Sequence, residues 1–165
     1  MVINMICQYS IIQDNEYFPK LKVEKEFTDD NFDINSVSEV IDYFYNIVDC
    51  GKYFNEYAWV VSCDISNRVK GFCCVSIGDY NKSYFYSRTV MTFLLLTGAE
   101  KAIFIHNHPN KEPHRSDADV EVMQKHLELC NMFGLVFGGD YIVSNGTYTD
   151  VLTGKIEEIM EYEGE

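Results

Sequence analysis

Two histidines and an aspartate lie close together in the stretch KAIFIHNHPNKEPHRSDAD, residues 101 to 119. His106 and His108 follow a strand-like run at positions i and i+2, and alternate side chains of an extended segment leave on the same face. Asp119 stands further along, at the head of a helix-like run. We therefore expect the two imidazoles and the carboxylate to converge on one metal ion.

Two histidines and one carboxylate suit zinc in a catalytic style, with three protein ligands and a fourth position left for water. Bound zinc can lower the pKa of that water to about 7, which gives a hydroxide nucleophile at neutral pH. The reaction also needs a general base. The three residues thus predict a metal-assisted hydrolysis.

A simpler interpretation exists for part of this pattern. Ser116 and Asp119 alone form an S-x-x-D capping box, which any helix could use to satisfy its free N–H groups. Two histidines at a strand end can likewise be half-exposed polar residues. Capping and metal ligation are compatible, because the helix dipole favours a carboxylate in the first turn. The combination of H-x-H, Pro and S-x-x-D favours the metal site.

The whole combination resembles the JAMM motif of the JAB/MPN metallopeptidases, which has H-x-H, then seven residues beginning with Pro, then S-x-x-D. The RadC branch of that family is the closer match. It is indicated by HNHP, by SRTVMTFLLLTGAEKAIFIHNHP leading into the motif, and by GLVFGGDYIVSNGTYTDVL after it. The resemblance covers roughly residues 36 to 152.

The resemblance implies an α/β fold of three layers, in which a mixed β-sheet is flanked by helices in the JAB/MPN (cytidine-deaminase-like) architecture. It also implies that zinc is held by His106, His108 and Asp119, that Ser116 helps to stabilise the oxyanion, and that a glutamate on an early strand deprotonates the water. The residues expected in the substrate loop are Asn107, Pro109 and His114.

The expected glutamate is not where the resemblance leads us to look for it. Counting back four or five residues from Gly78 on the second early strand lands on Cys74 or Cys73. A thiol is shorter than a glutamate, has a pKa near 8.5, and tends to ligate zinc instead of shuttling protons. The nearest acids are Asp64 and Asp79. Loss of a general base typically costs about 10² to 10⁴ in rate, so an impaired enzyme is predicted.

Cys74 also admits two other interpretations. Its sulfur could occupy the fourth position on zinc, which would turn a catalytic geometry into a structural one. Alternatively, Cys74 is a small buried apolar residue, since free cysteine is among the most buried residue types.

Three classes of function follow. The first is a RadC-like JAB-domain metalloprotein that acts as a zinc-dependent metallopeptidase, impaired at Cys73 and Cys74. The second is a catalytically inactive zinc-binding pseudoenzyme or protein-interaction module on the same fold. The third, a nucleobase deaminase, is disfavoured because that chemistry expects H-x-E and P-C-x-x-C, whereas this chain has H-N-H and Pro113-His114.

The charge of the chain limits its partners. The 26 acidic residues exceed the 13 Lys and Arg, giving a net charge of −13, and no basic stripe is present to bind a phosphate backbone. Although the RadC name is associated with DNA repair, a peptide or protein is the expected partner. No apolar run approaches 18 residues and the N-terminus has no basic leader, so a cytoplasmic protein without a membrane segment is expected.

Three regions are expected along the chain. Residues 1–35 form an N-terminal extension, which could be a small hairpin; residues 36–155 form the RadC-like domain; and residues 156–165 form an acidic tail. Ser36 and Glu39 predict a capping box at the start of a helix, and Asn145-Gly146 predicts a hairpin turn.

The helix that begins near Asp119 has an apolar stripe, which we assign to the core. It consists of Val120, Met123, Leu127 and Cys130. His126 precedes Leu127 and is assigned to the surface.

Overall fold

The computed structural model describes residues 5–28, 34–78, 86–109 and 113–162. Its described strands form one mixed sheet of eight strands in the order β2-β1-β4-β3-β5-β6-β7-β8. The strands are β1 (Met5–Gln13), β2 (Pro19–Thr28), β3 (Glu56–Cys63), β4 (Val69–Gly78), β5 (Lys101–Asn107), β6 (Val136–Ser144), β7 (Thr147–Asp150) and β8 (Ile156–Glu158).

Helices cover both faces of this sheet. Helix α1 (Val37–Asn46) packs on one face, and α2 (Ser87–Leu96) and α3 (Asp117–Phe133) pack on the other. A short 3₁₀ helix spans Cys50–Lys52. The three-layer α/β fold that the resemblance implied is therefore confirmed. We call the two sides of the sheet the α1 face and the α2/α3 face.

The α1 face holds the larger apolar core. Ser36 and Glu39 form the predicted capping box at the start of α1, and Phe44 from this helix is fully buried. Its ring meets the ring of Phe72 of β4 edge to face, with centroids 4.7 Å apart. Helix α1 is thus fixed both by its N-terminal cap and by its buried apolar side chains.

Strand β5 runs through the middle of the sheet between β3 and β6. It pairs antiparallel with β3 and parallel with β6. Ile103 and Ile105 join the core of the α1 face, whereas Phe104 joins that of the α2/α3 face. The same alternation points His106 to the α2/α3 face.

Both ends of the chain add strands to the same sheet. Strands β1 and β2 form an antiparallel hairpin, and β1 pairs with β4 through Gln8 and Tyr9. At the other end, the segment expected to start an acidic tail forms β8, which pairs with β7. Met160 then donates its backbone N–H to Asp42 of α1.

Among the described residues, no helix combines the length and the apolarity needed to cross a bilayer.

We expect Phe44→Ala to destabilise the fold strongly. Removing a fully buried ring at a face-to-edge contact leaves a cavity, and such changes cost about 3 to 5 kcal/mol. The matched control is Phe54→Ala, because Phe54 is 86% exposed. Urea unfolding of the two variants measures the difference, and equal free energies of unfolding would contradict the assignment of Phe44 to the core.

Candidate metal centre

The structure brings the three predicted ligands together where β5 ends and α3 begins. Atom Nε2 of His106 lies 3.2 Å from Nε2 of His108 and 3.2 Å from Oδ1 of Asp119. Nε2 of His108 lies 3.7 Å from Oδ2 of Asp119. These atoms all lie within 4.8 Å of one another, so they could share one ion. We call these three residues the ligand cluster.

Ser116 holds the carboxylate of Asp119 in place. It is the N-cap of α3, and Asp119 is the N3 residue of a complete capping box. The Ser116 hydroxyl donates to Oδ2 of Asp119 at 2.7 Å and accepts from the Asp119 backbone N–H at 3.1 Å. The backbone N–H of Ser116 donates to the same Oδ2 at 2.6 Å. Ser116 therefore orients a ligand here, and its oxyanion role stays a prediction.

Within the ligand cluster, His106 and Asp119 shift each other's pKa. Burial alone would lower the pKa of His106, but the carboxylates of Asp119 and Asp140 outweigh it and raise that pKa to about 10. Burial would raise the pKa of Asp119, yet His106 and His108 hold it well below its usual range. The metal-free cluster is thus an ion pair between a cationic imidazole and a carboxylate.

Behind His106 lies a second polar pair that the sequence analysis missed. Asp140 of β6 is 2% exposed, and its Oδ1 lies 3.8 Å from Nδ1 of His106. Its Oδ2 lies 2.6 Å from Nδ1 of His126. The assignment of His126 to the surface is therefore wrong: it is 8% exposed.

The buried stripe of α3 explains this correction. It runs through Asp119, Met123, His126 and Cys130, with spacings of four, three and four residues, so His126 takes the place in the stripe that the sequence analysis gave to Leu127. The spacing is a helical signal that could have identified the histidine as buried.

Asn107 was expected in the substrate loop, but it is the last residue of β5 and is 1% exposed. Its Oδ1 accepts the backbone N–H of Tyr57 at 2.7 Å, and its Nδ2 donates to the carbonyl of Asn55 at 3.0 Å. It therefore ties the end of β5 to the start of β3. Of the other two loop residues, Pro109 is half-buried and His114 is exposed.

The two cysteines do not join the ligand cluster. Cys74 packs against the core of the α1 face, on the opposite side of the sheet from His106. Cys73 lies on the α2/α3 face, within its apolar core. Burial raises the pKa of Cys73 to about 12 and also raises that of Cys74, so both thiols stay protonated at neutral pH. Within the described ranges, neither sulfur belongs to a metal-ligand group, and Val75 is the β4 residue that lines the pocket beside His106.

The two acids considered as alternative general bases are Asp64 and Asp79. Asp64 lies at the far end of β3, where its carboxylate accepts the backbone N–H groups of Ser66 and Arg68. Asp79 lies outside the described residues.

A buried carboxylate lies at the start of β3, on the face of the sheet that His106 shares. Glu56 is 7% exposed. Its neighbour Tyr57 packs on the α1 face, so the alternation of the strand sends Glu56 and Ala58 to the opposite face, which His106 shares. Ala58 pairs directly with His106 in the antiparallel register. Glu56 lies two residues before Ala58 on the same strand and therefore at the same end of the sheet as His106.

The signal for Glu56 in the sequence is a glutamate directly before the apolar run YAWVV. Carboxylates are rarely buried unless they are paired or functional. The sequence analysis considered β4 and the acids Asp64 and Asp79, and did not single out Glu56.

Comparison with known proteins gives a consistent result. Residues 34–155 match the model of the RadC-like JAB domain. The UPF0758 protein of Finegoldia magna is 29% identical over 143 residues, which cover 87% of this chain and 62% of that protein. The UPF0758 protein of Caldanaerobacter subterraneus is 29% identical over 118 residues, 71% of this chain and 49% of that protein. The chain thus spans about half to three fifths of the length of these relatives.

The stability of the metal-free protein should depend on pH through His106. Its folded-state pKa of about 10 lies above the value of about 6.5 in an unfolded chain. The stabilisation is therefore fully present below about pH 6.5 and is lost as the pH rises through the folded-state value. Urea unfolding in excess EDTA should give a lower free energy of unfolding at pH 9 than at pH 6.

The control for this measurement is His106→Gln, which keeps a polar side chain but cannot titrate. Its free energy of unfolding should change less between the same two pH values. Parallel pH dependence in the parent and the variant would contradict the charge assignment.

Proposed function

The chain belongs to the RadC-like JAB domain family, and we propose that it is a zinc-dependent metallohydrolase that cleaves peptide or isopeptide bonds. The observation that carries this proposal is the convergence of His106, His108 and Asp119 within 4.8 Å, on the face of the sheet that also receives the buried Glu56.

The spacing of the donor atoms supports zinc. Ligands about 2.05 Å from a tetrahedral ion are separated by roughly 3.3 Å, whereas neighbouring ligands at that distance in an octahedral ion are separated by roughly 2.9 Å. Nε2 of His106 lies 3.2 Å from Nε2 of His108 and 3.2 Å from Oδ1 of Asp119. Two histidines and a carboxylate also serve iron(II) in some enzymes, but these distances fit the tetrahedral arrangement better.

The proposed reaction divides its tasks among few residues. When bound, zinc supplies Lewis-acid chemistry that makes water a good nucleophile at neutral pH and polarises a carbonyl group. Glu56 accepts the proton of the attacking water and returns it to the leaving amine. Ser116 keeps Asp119 oriented through two hydrogen bonds to Oδ2, which leaves Oδ1 turned towards His106.

Glu56 also changes the interpretation of the cysteines. The impairment predicted from Cys73 and Cys74 assumed that β4 carries the base. With Glu56 on β3 as the base, Cys73 and Cys74 serve as core residues and the chain retains a full set of catalytic groups.

A peptide or protein is the proposed substrate class. The net charge of −13 disfavours close approach to a phosphate backbone.

The second candidate is a zinc-binding interaction module without turnover. One observation favours it: the residue of β4 that lines the pocket beside His106 is Val75, and β4 contains no acidic residue.

We predict that Glu56→Gln retains zinc and loses activity. Zinc content is measured by elemental analysis after dialysis, and turnover by mass spectrometry of a synthetic peptide mixture. The parent should hold one zinc and cleave peptides, while Glu56→Gln should hold one zinc and cleave about 10² to 10⁴ times more slowly. The matched control is Asp64→Asn at the other end of β3, which should cleave like the parent.

Replacing the ligands should give the opposite pattern. His106→Ala and His108→Ala should each lose zinc, since two remaining donors hold the ion poorly. Full zinc content in both variants would refute the metal site. A parent that holds zinc but cleaves no peptide would favour the interaction module, and unimpaired cleavage by Glu56→Gln would show that another group is the base.

A further inference from the structure

We propose that Asp140 and His126 form a positioning pair that orients the ligand His106 from behind. Asp140 lies between the two histidines, with Oδ1 3.8 Å from Nδ1 of His106 and Oδ2 2.6 Å from Nδ1 of His126. The other ring nitrogen of His106, Nε2, faces the ligand cluster. This inference rests on the proposed zinc site.

The position of Asp140 depends on an irregularity in β6. Ala102 of β5 pairs with Phe137, and Phe104, two residues later, pairs with Asp140, three residues later. Strand β6 therefore carries one extra residue and forms a β-bulge. Without the bulge, alternation would send Phe137 and Asp140 to opposite faces; with it, Asp140 faces the helices as Phe137 does.

Two glycines make the bulge sterically feasible. Gly139 has φ +117°, in the region that favours glycine, and a Cβ built there would lie 2.4 Å from Oη of Tyr141. A Cβ on Gly138 would lie 2.7 Å from Ile103 and 2.9 Å from the carbonyl of Ala102. Gly138 and Gly139 thus permit the bulge that directs the Asp140 carboxylate towards His106.

His126 fixes the carboxylate from the other side. Its ring stacks flat on Phe104, with centroids 3.8 Å apart and an angle of 7° between the planes. The short contact between His126 and Asp140 occupies Oδ2 of the carboxylate. Oδ1 is thereby directed at His106, so the orientation of α3 is transmitted to the ligand through two side chains.

The chemical consequence concerns the proton on His106. At 3.8 Å the contact with Asp140 is longer than a hydrogen bond, and it acts through charge, favouring a proton on Nδ1. A proton on Nδ1 leaves the lone pair on Nε2, which is the form that binds a metal ion. Loss of such an outer partner typically weakens metal affinity about 10- to 100-fold.

The test uses Asp140→Asn and His126→Phe, which keep the size of the first side chain and the aromatic stacking of the second. Zinc affinity is measured on metal-free protein by competition with a chromophoric chelator. We expect Asp140→Asn to bind zinc about 10- to 100-fold more weakly than the parent, and His126→Phe to shift affinity in the same direction by a smaller factor.

Two further measurements separate positioning from folding. The visible spectrum of the cobalt(II)-loaded protein reports ligand geometry, and it should change in Asp140→Asn. Urea unfolding of the metal-free protein reports the fold. The matched control is Ser62→Ala, because Ser62 is fully buried and hydrogen-bonded to Thr97 but lies on β3 opposite Ala102, four residues from His106; its zinc affinity and cobalt spectrum should match those of the parent.

Each outcome decides the inference. Asp140→Asn with parental zinc affinity and an unchanged cobalt spectrum would overturn it, even if the variant unfolds more easily, because the role of Asp140 would then be structural. If the parent cleaves no peptide but Asp140→Asn still binds zinc more weakly than the parent, the positioning pair is supported and the hydrolase is refuted. A parent that binds no zinc would overturn both.

Discussion

The register of β5 with its two neighbours is the constraint on which the candidate centre depends. On one side, antiparallel pairing sets Ala58 beside His106 and so brings the start of β3, with Glu56, to the same end of the sheet. On the other side, parallel pairing with β6 sets Asp140 against Phe104, one strand from His106. A slip of one residue in either pairing would send a carboxylate to the wrong face of the sheet.

Burial of these groups is energetically demanding, and the protein meets the demand by pairing them. Asp119 and Asp140 are both buried, and each contacts imidazole groups that lower its pKa against the effect of desolvation. Buried charge is tolerated only where partners of opposite charge or hydrogen-bond donors replace water. The ion pairs thus make a polar interior compatible with the apolar packing of Phe104 and Val90 around it.

Local patterns were readable from the sequence, and long-range register was not. The two capping boxes, the Asn145-Gly146 turn and the H-x-H spacing each involve residues a few positions apart, and the structure has all of them as predicted. The placement of Glu56 and Asp140 on the face of His106 depends on strand pairing, and Asp140 also requires a bulge at two glycines. The pairing of Cys74 with Trp59 likewise decides its face, which counting back from Gly78 could not.

The position of Asn107 between the two histidines has a consequence for how the centre can vary. Its side chain leaves on the opposite face and secures the start of β3 through Tyr57 and Asn55. The tripeptide His106–Asn107–His108 therefore sets the positions of the donor nitrogens and, through Asn107, the position of the start of β3, which carries Glu56. Substitution of this middle residue would disturb both together, so the separation between Glu56 and the ligand cluster depends on a single side chain.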